Sequence, residues 1–398
     1  MNVLSKLVLP LLILGMVLPA PPLFAAVYYV STTGSDSSTT PQNLATPWRT
    51  IAKAANTMVA GDTTFVRGGT YVEGLILFDT SGSLGNPISL LNYPNETPII
   101  TSSNRALSTN QLLISGLPTS GPTTPISDIV IQGFEITNRY EVKIQGTLRF
   151  VLRGNYIHDN YANGLTGPQT GGNKEATVDR NYFARNGNYN HPQCVGTPGG
   201  HQFCNQVHGL YILGTNWTIT NNIITESLGY GIQCDSGVAS PSPGAGYSGF
   251  SGLIANNTIA YGKNRAAFVL WANGVTLTNL TIENNILYEN AQNPTTVTSA
   301  QVVEYAGGAG FSNVLVTKNL WYGTGNNTAF SNASAPAGVT IPSTGSNANV
   351  NANPLFVNAP AATIAAPDLR LLAGSPAIGF GAADTSRLSA PSGLAVVE

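Results

Sequence analysis

Ile219-Thr220-Asn221-Asn222-Ile223-Ile224 returns as Ile254-Ala255-Asn256-Asn257-Thr258-Ile259 and again as Ile282-Glu283-Asn284-Asn285-Ile286-Leu287. The phrase, apolar-x-apolar-x-x-Asn-x-apolar in its fullest form, extends in both directions. Upstream it reads Phe150-Val151-Leu152-Arg153-Gly154-Asn155-Tyr156-Ile157 and Ala176-Thr177-Val178-Asp179-Arg180-Asn181-Tyr182-Phe183; downstream it reads Val316-Thr317-Lys318-Asn319-Leu320-Trp321. The recurring asparagines lie 26, 41, 35, 28 and 34 residues apart. A second phrase leads most copies: Gly164-Leu165, Gly209-Leu210-Tyr211-Ile212, Gly231-Ile232-Gln233, Ala267-Phe268-Val269 and Val302-Val303-Glu304.

Each copy holds two or three short runs of alternating apolar and polar residues, rich in Ile, Val and Thr and broken by Asn or Gly. Period-two alternation is strand chemistry. One coil of such strands cannot bury its apolar side alone, so stacked coils share a continuous core. Asn at a fixed turn position suits this arrangement. It tolerates the left-handed backbone, and its amide can hydrogen-bond to the same amide one coil away. Unequal intervals then mean a constant coil with loops of variable length. Propeller blades would repeat at about 40–50 residues, and leucine-rich repeats would keep a fixed Leu/Asn pattern. Neither fits, and the expected fold is an all-β solenoid, a parallel β-helix.

Composition agrees. Of 398 residues 42% are hydrophobic and 9% charged, with 17 Lys+Arg against 19 Asp+Glu. Ordinary soluble domains carry roughly 25% charged residues. Disordered segments are charge-rich and poor in β-branched residues, so disorder is not expected. A net charge of −2 offers no electrostatic footprint for nucleic acid. The first 25 residues read as a secretory leader: Lys6, an apolar run from Leu7 to Leu18, and a cut after Ala25. The expectation is a secreted protein, with no membrane association after cleavage and a single domain over 26–398, acting as a monomer.

The mature chain resembles the pectate-lyase-like superfamily of right-handed parallel β-helix proteins. The resemblance is carried by Tyr28-Tyr29-Val30-Ser31-Thr32-Thr33-Gly34-Ser35-Asp36, by Thr46-Pro47-Trp48-Arg49-Thr50-Ile51 with Ala60-Gly61-Asp62, and by Val66-Arg67-Gly68-Gly69-Thr70-Tyr71. It implies a short helix over Trp48 to Met58 closing the first coil, within an N-terminal part spanning 26–75. Trp48, Ile51, Ala54, Ala55 and Met58 share one helical face, in agreement. Asn353-Pro354-Leu355-Phe356, Leu369-Arg370-Leu371 and Gly374-Ser375-Pro376-Ala377-Ile378 are similar to the usual exit segment, and 323–398 is expected to be looser than the coils.

Three cysteines suit an exported chain. Cys194 and Cys204, ten apart in a Gly- and Pro-containing stretch, are expected to form a local disulfide, and Cys234 to be a buried free thiol. A zinc site from His191, Cys194, His201 and Cys204 lacks the CxxC spacing of structural zinc.

With Val142, Leu210, Ile232, Phe268 and Val303 facing inward, alternation turns Lys143, Tyr211, Gln233, Val269 and Glu304 outward, with Gln145, Asp235 and Trp271 in a parallel row. At about 4.8 Å per coil, these residues would line a groove about 15 Å long. Such a groove suits a polysaccharide, with Tyr211 and Trp271 as stacking platforms and Gln233 as a polar partner. His208 precedes this sheet directly, and imidazole is a ready acid or base near neutral pH.

Three readings remain open. β-Elimination of a uronate polymer, the activity closest to the superfamily, needs a base (Lys143 or His208) and a cation such as calcium held by Asp159, Asp235 or Glu304. Glycoside hydrolysis needs two carboxyl groups about 5–9.5 Å apart; Asp235 and Glu304 would sit two coils apart, roughly 10 Å. The third is a non-catalytic glycan-binding surface protein. Family motifs do not choose: no Asp-Asp pair exists, and of the Gly-His-Gly of polygalacturonases only His208-Gly209 remains. No organic cofactor motif is present.

Overall fold

The computed structural model describes residues 25–115, 125–167, 172–187, 206–237, 249–292, 302–324, 335–359 and 367–382. Residues 1–24, which hold nearly all of the expected leader, and Cys194, Cys204, His191 and His201 lie outside the described residues. From Val27 to Asn351 the chain winds as stacked coils, each contributing a strand in turn to three parallel sheets. In one coil these are Ile232–Asp235, Phe250–Ala255 and Thr258–Ala260; in the next, Phe268–Ala272, Leu277–Glu283 and Ile286–Tyr288. The continuous strand Leu210–Thr220, irregular between Gly214 and Trp217, runs from the first sheet into the second, joining them into a 21-stranded sheet beside a 10-stranded third.

The turn between the second and third sheets is the fixed point of the fold. It is two residues long in every copy, and the two positions have different jobs. The first is left-handed: Gly154, Arg180, Asn221, Asn256, Asn284 and Lys318 all have φ between 51° and 60°. The second is the ladder asparagine. Asn222 Nδ2 donates to Asn257 Oδ1 at 2.9 Å, Asn257 to Asn285 at 3.0 Å and Asn285 to Asn319 at 2.8 Å. Each Oδ1 also accepts the backbone N–H of the Asn one coil earlier. The sequence expectation assigned both properties to one Asn; the structure divides them between neighbours, because a side chain reaching straight up the stack needs an ordinary backbone conformation. The ladder amides are fully buried, so each bond also cancels a desolvation cost.

The inward residues Val142, Leu165, Leu210, Ile232, Phe268 and Val303 are all completely buried and stack in register through the first sheet. Burying such a side chain contributes about 1.5–3 kcal/mol. The Cys234 thiol is free and points into the same core, as expected. At the N-terminal end the helix closing the first coil is shorter than its sequence suggests, Ile51–Ala55. Its Thr50 N-cap accepts from the Lys53 N–H, and Glu73 accepts from the N–H groups of Ile51 and Ala52, so one turn is fully capped. All five residues of the expected apolar face are buried. Arg139 lies in the core: its guanidinium donates to the carbonyls of Glu73, Gly74, Thr101 and Gln111, and burial lowers its pKa to about 10.

The described parts of the exit segment pack on the last coils. Phe356–Asn358 pairs antiparallel with Asp368–Leu371. Beyond it Ala377 and Ala382 are buried, and the Gly381 N–H donates to the Asn284 carbonyl at 2.7 Å. The reason is the outer row of the third sheet at this end, Ile286 and Leu320, which is apolar and gains cover from this segment. Among the described residues no helix is long and apolar enough to cross a membrane.

Candidate functional site

The long excursions from the coil flank the first sheet. They leave between Ala184 and Leu210, between Asp235 and Phe250, and between Tyr288 and Val303, whereas the turn from second to third sheet is two residues long in each of the six copies from Asn155 to Asn319. Loops on a rigid scaffold are where function concentrates. The register of the first sheet confirms the outward row read from alternation: Tyr211 pairs with Gln233, Gln233 with Val269 and Val269 with Glu304. Thr166 joins it between Lys143 and Tyr211. The parallel row runs Leu213, Asp235, Trp271, Ala306.

Facing outward does not leave these side chains open. Gln233, Asp235 and Glu304 are buried, while Tyr211, Trp271 and Lys143 keep partial exposure. Desolvation favours the neutral form of a carboxylic acid. Burial accordingly raises the pKa of both Asp235 and Glu304, against hydrogen bonds that pull them down. Asp235 Oδ1 accepts the Gly237 N–H at 2.8 Å and Oδ2 accepts the Tyr211 hydroxyl at 3.2 Å. Glu304 Oε2 accepts the Tyr230 hydroxyl at 2.6 Å and pairs with Arg265 Nη1 at 3.3 Å. Arg265 also lies over the Tyr230 ring, 5.5 Å from its centre.

Asp235 and Glu304 sit two coils apart, as the spacing of the repeats implied, but on different rows. Glu304 precedes by two residues the position level with Asp235, Ala306. Their Cα atoms are therefore offset diagonally, by roughly 12 Å from strand spacing and rise.

His208 is also placed at this site, and it is buried. Its ring lies between those of Tyr211 and Tyr230, at 6.1 and 5.4 Å. Burial, with a smaller contribution from the Arg265 charge, lowers its pKa to about 3, so the ring is neutral. Nδ1 accepts the Tyr230 backbone N–H at 3.1 Å.

Other expected residues are not brought here. Lys143 lies three coils before Gln233, about 14 Å away. Its Nζ is 3.9 Å from Glu141, a buried carboxylate that accepts from the Thr166 hydroxyl and Gln111. Asp159 is elsewhere altogether. It occupies a left-handed turn after Tyr156–His158 in the third sheet, bound by Arg185 at 2.8 and 3.0 Å and by His158 at 2.7 Å. Asp159 and Asp235 lie on different sheets and do not share one site. The Asp235 oxygens face hydrogen-bond donors, a poor setting for a cation. Among the described residues no three His, Cys, Asp or Glu side chains converge as metal ligands.

Tyr230, Arg265 and Glu141 were not anticipated. Tyr230 was findable: it stands two residues before the inward Ile232, as His208 stands before Leu210 and Asn163 before Leu165.

Comparison with known proteins places this geometry in context. Residues 28–192 match the family model described as Pel9A-like, right handed beta helix region. A curated relative, the uncharacterized protein YwoF of Bacillus subtilis (strain 168), is 43% identical over 76 residues, 18% of this chain and 15% of that protein's length. The crystal structure of pectate lyase Pel9A covers 89% of this chain and 91% of its own, at 16% identity and a TM-score of 0.43. That of alginate lyase from Paenibacillus sp. str. FPU-7 covers 73% and 95%, at 13% identity and a TM-score of 0.41.

Proposed function

We propose that this chain, a right-handed parallel β-helix of the pectate-lyase-like superfamily, is exported and cleaves a polysaccharide bound along its first sheet, with Asp235 and Glu304 as the acid–base pair. One observation carries the reading: two desolvated carboxylates project from the same outer sheet face two coils apart, each held by a tyrosine hydroxyl. Burial that lifts a carboxyl toward neutrality is how a protein keeps a proton available for a leaving oxygen. Partly exposed Trp271, level with Asp235 in the next coil, offers an aromatic face to a sugar. Hydrolysis is favoured over β-elimination because Lys143 is about 14 Å from the Gln233 coil and Asp159 is spent on Arg185.

The test is product release from a panel of uronate-containing and neutral polysaccharides, following new reducing ends and unsaturated products in parallel. Reducing ends without ultraviolet-absorbing product are expected. Asp235→Asn and Glu304→Gln should each lower turnover by at least ~10²-fold while leaving the fold intact. Unsaturated product would overturn hydrolysis in favour of elimination, and silence across the panel would leave a glycan-binding surface as the better account.

A further inference from the structure

Cations are few on the first sheet, and they are already engaged. In its strands, from Ile76–Phe78 to Val303–Gly307, Lys143 is the one Lys or Arg. Its Nζ lies 3.9 Å from Glu141 Oε1. Arg265 enters from the turn before Phe268–Ala272, with Nη1 3.3 Å from Glu304 Oε2 and its guanidinium over the Tyr230 ring. Lys263, two residues earlier in that turn, is half-buried and engaged as well. The acids are not all balanced in this way. The donors to Asp235 are uncharged: the Gly237 N–H at 2.8 Å and the Tyr211 hydroxyl at 3.2 Å. The excursions flanking the sheet do not redress the balance. Residues 188–205, 238–248 and 293–301 contain no Lys or Arg, and His191 and His201 are their basic side chains.

We propose that the polymer received by this sheet is uncharged: a neutral polysaccharide, recognised through its hydroxyls and the apolar faces of its rings. This rests on the reading of the first sheet as the polymer-binding face. A polyuronate would lay one carboxylate per sugar beside Asp235 and Glu304, and the strands hold no unpaired cation to receive it. Like charges brought together in a partly desolvated groove repel strongly. A neutral sugar asks instead for acceptors and stacking faces. Carboxylates are strong acceptors of a sugar hydroxyl, and the partly exposed Tyr211 and Trp271 supply aromatic faces on adjoining rows. The chemistry agrees with the proposed cleavage. A neutral sugar has no carboxyl beside C5 to make that proton acidic, so elimination is closed to it and hydrolysis is the route left.

The test needs no turnover. Retention of the full mature chain is measured on beads carrying hydroxyethyl cellulose, arabinoxylan or galactomannan, and on beads carrying polygalacturonate or alginate. A pH of about 8 keeps the histidines neutral, and salt is varied from about 0.02 to about 0.5 M. Retention on at least one neutral polymer is expected, unchanged by salt, with binding to both uronate polymers at least about tenfold weaker. Glu141→Gln combined with Glu304→Gln releases Lys143 and Arg265 from their carboxylates. That variant should gain retention on polygalacturonate at low salt and lose it at high salt. Tight retention of the unaltered chain on polygalacturonate or alginate, weakened by salt, would overturn the proposal while leaving the sheet as a polymer-binding face. Retention on none of the five would remove that face and the proposal together, and neutral binding without cleavage would remove only the hydrolase reading. Should the double variant not fold, the comparison of neutral with uronate polymers decides alone.

Discussion

Tyr230 and Glu304 lie 74 residues apart in the chain, yet the phenol donates to the carboxylate at 2.6 Å across two coils of the first sheet. The strand that follows Tyr230 is separated from the strand carrying Glu304 by one other, Phe268–Ala272. Stacking alone brings the two together, and Arg265, from the turn between them in sequence, completes the group. Removing the hydroxyl leaves a buried carboxylate short of a donor.

Tyr230→Phe should therefore destabilise the fold by about 1–3 kcal/mol at neutral pH. Burial already holds Glu304 above its usual value of 4.5. A raised folded pKa gives stability below the unfolded value that is lost as pH rises through the folded one. The variant raises that pKa further, so its deficit should grow between pH 4 and pH 7. Urea melts at both pH values check this; an equal deficit at both would show that Glu304 is not the group affected.

The two turn asparagines should respond oppositely to glycine and alanine. Asn256 has φ +56°, so Asn256→Gly should be nearly neutral and Asn256→Val strongly unfavourable. Asn257 is an ordinary position whose amide serves both neighbouring coils, and Asn257→Ala should cost about 1–3 kcal/mol by orphaning buried polar groups. Thermal melts of the three variants suffice, and a tolerated Asn257→Ala would remove the ladder as a source of stability.

Arg139 holds four carbonyls of the N-terminal coils, including that of Glu73, whose side chain caps the helix, and that of the following Gly74. Arg139→Met fills most of the volume and supplies no donor. A loss of about 3 kcal/mol or more is expected in chemical denaturation, with Arg139→Lys recovering part. A loss under about 1 kcal/mol would mean that water replaces the guanidinium.

On the third sheet His158 bonds to Asp159 at 2.7 Å and Glu135 at 3.2 Å, with its ring stacked on Tyr156 at 3.9 Å. Burial would lower its pKa, but the two carboxylates outweigh burial and raise it above 6.5. Burial would raise Asp159, but His158 and Arg185 outweigh it and hold the carboxyl at about 2. The histidine's contribution is thus complete below 6.5 and lost as pH rises through its raised value; that of Asp159 is complete above 3.8 and lost toward 2. His158→Asn should lower the melting temperature more at pH 6 than at pH 8. A pH-independent difference would show that the ring acts only by packing.

The sequence by itself determined what repeats. The paired Asn turns, the period-two runs and the inward row from Val142 to Val303 are local properties of each coil, and stacking equivalent coils makes the register follow from the pattern. That is why the pattern alone puts Tyr211, Gln233 and Glu304 in one row, and Asp235 and Trp271 in the next. Tertiary structure alone decided what does not repeat. How deeply the outward Glu304 is buried depends on Tyr230 and Arg265, which sit in turns of unequal length, and burial also makes His208 neutral. Asp159 carries the same residue type as Asp235 but belongs to a different sheet, and Arg139 reaches carbonyls as far as 66 residues away. Period fixes which way a side chain points; the electrostatics at the end of it depend on neighbours brought in from other coils.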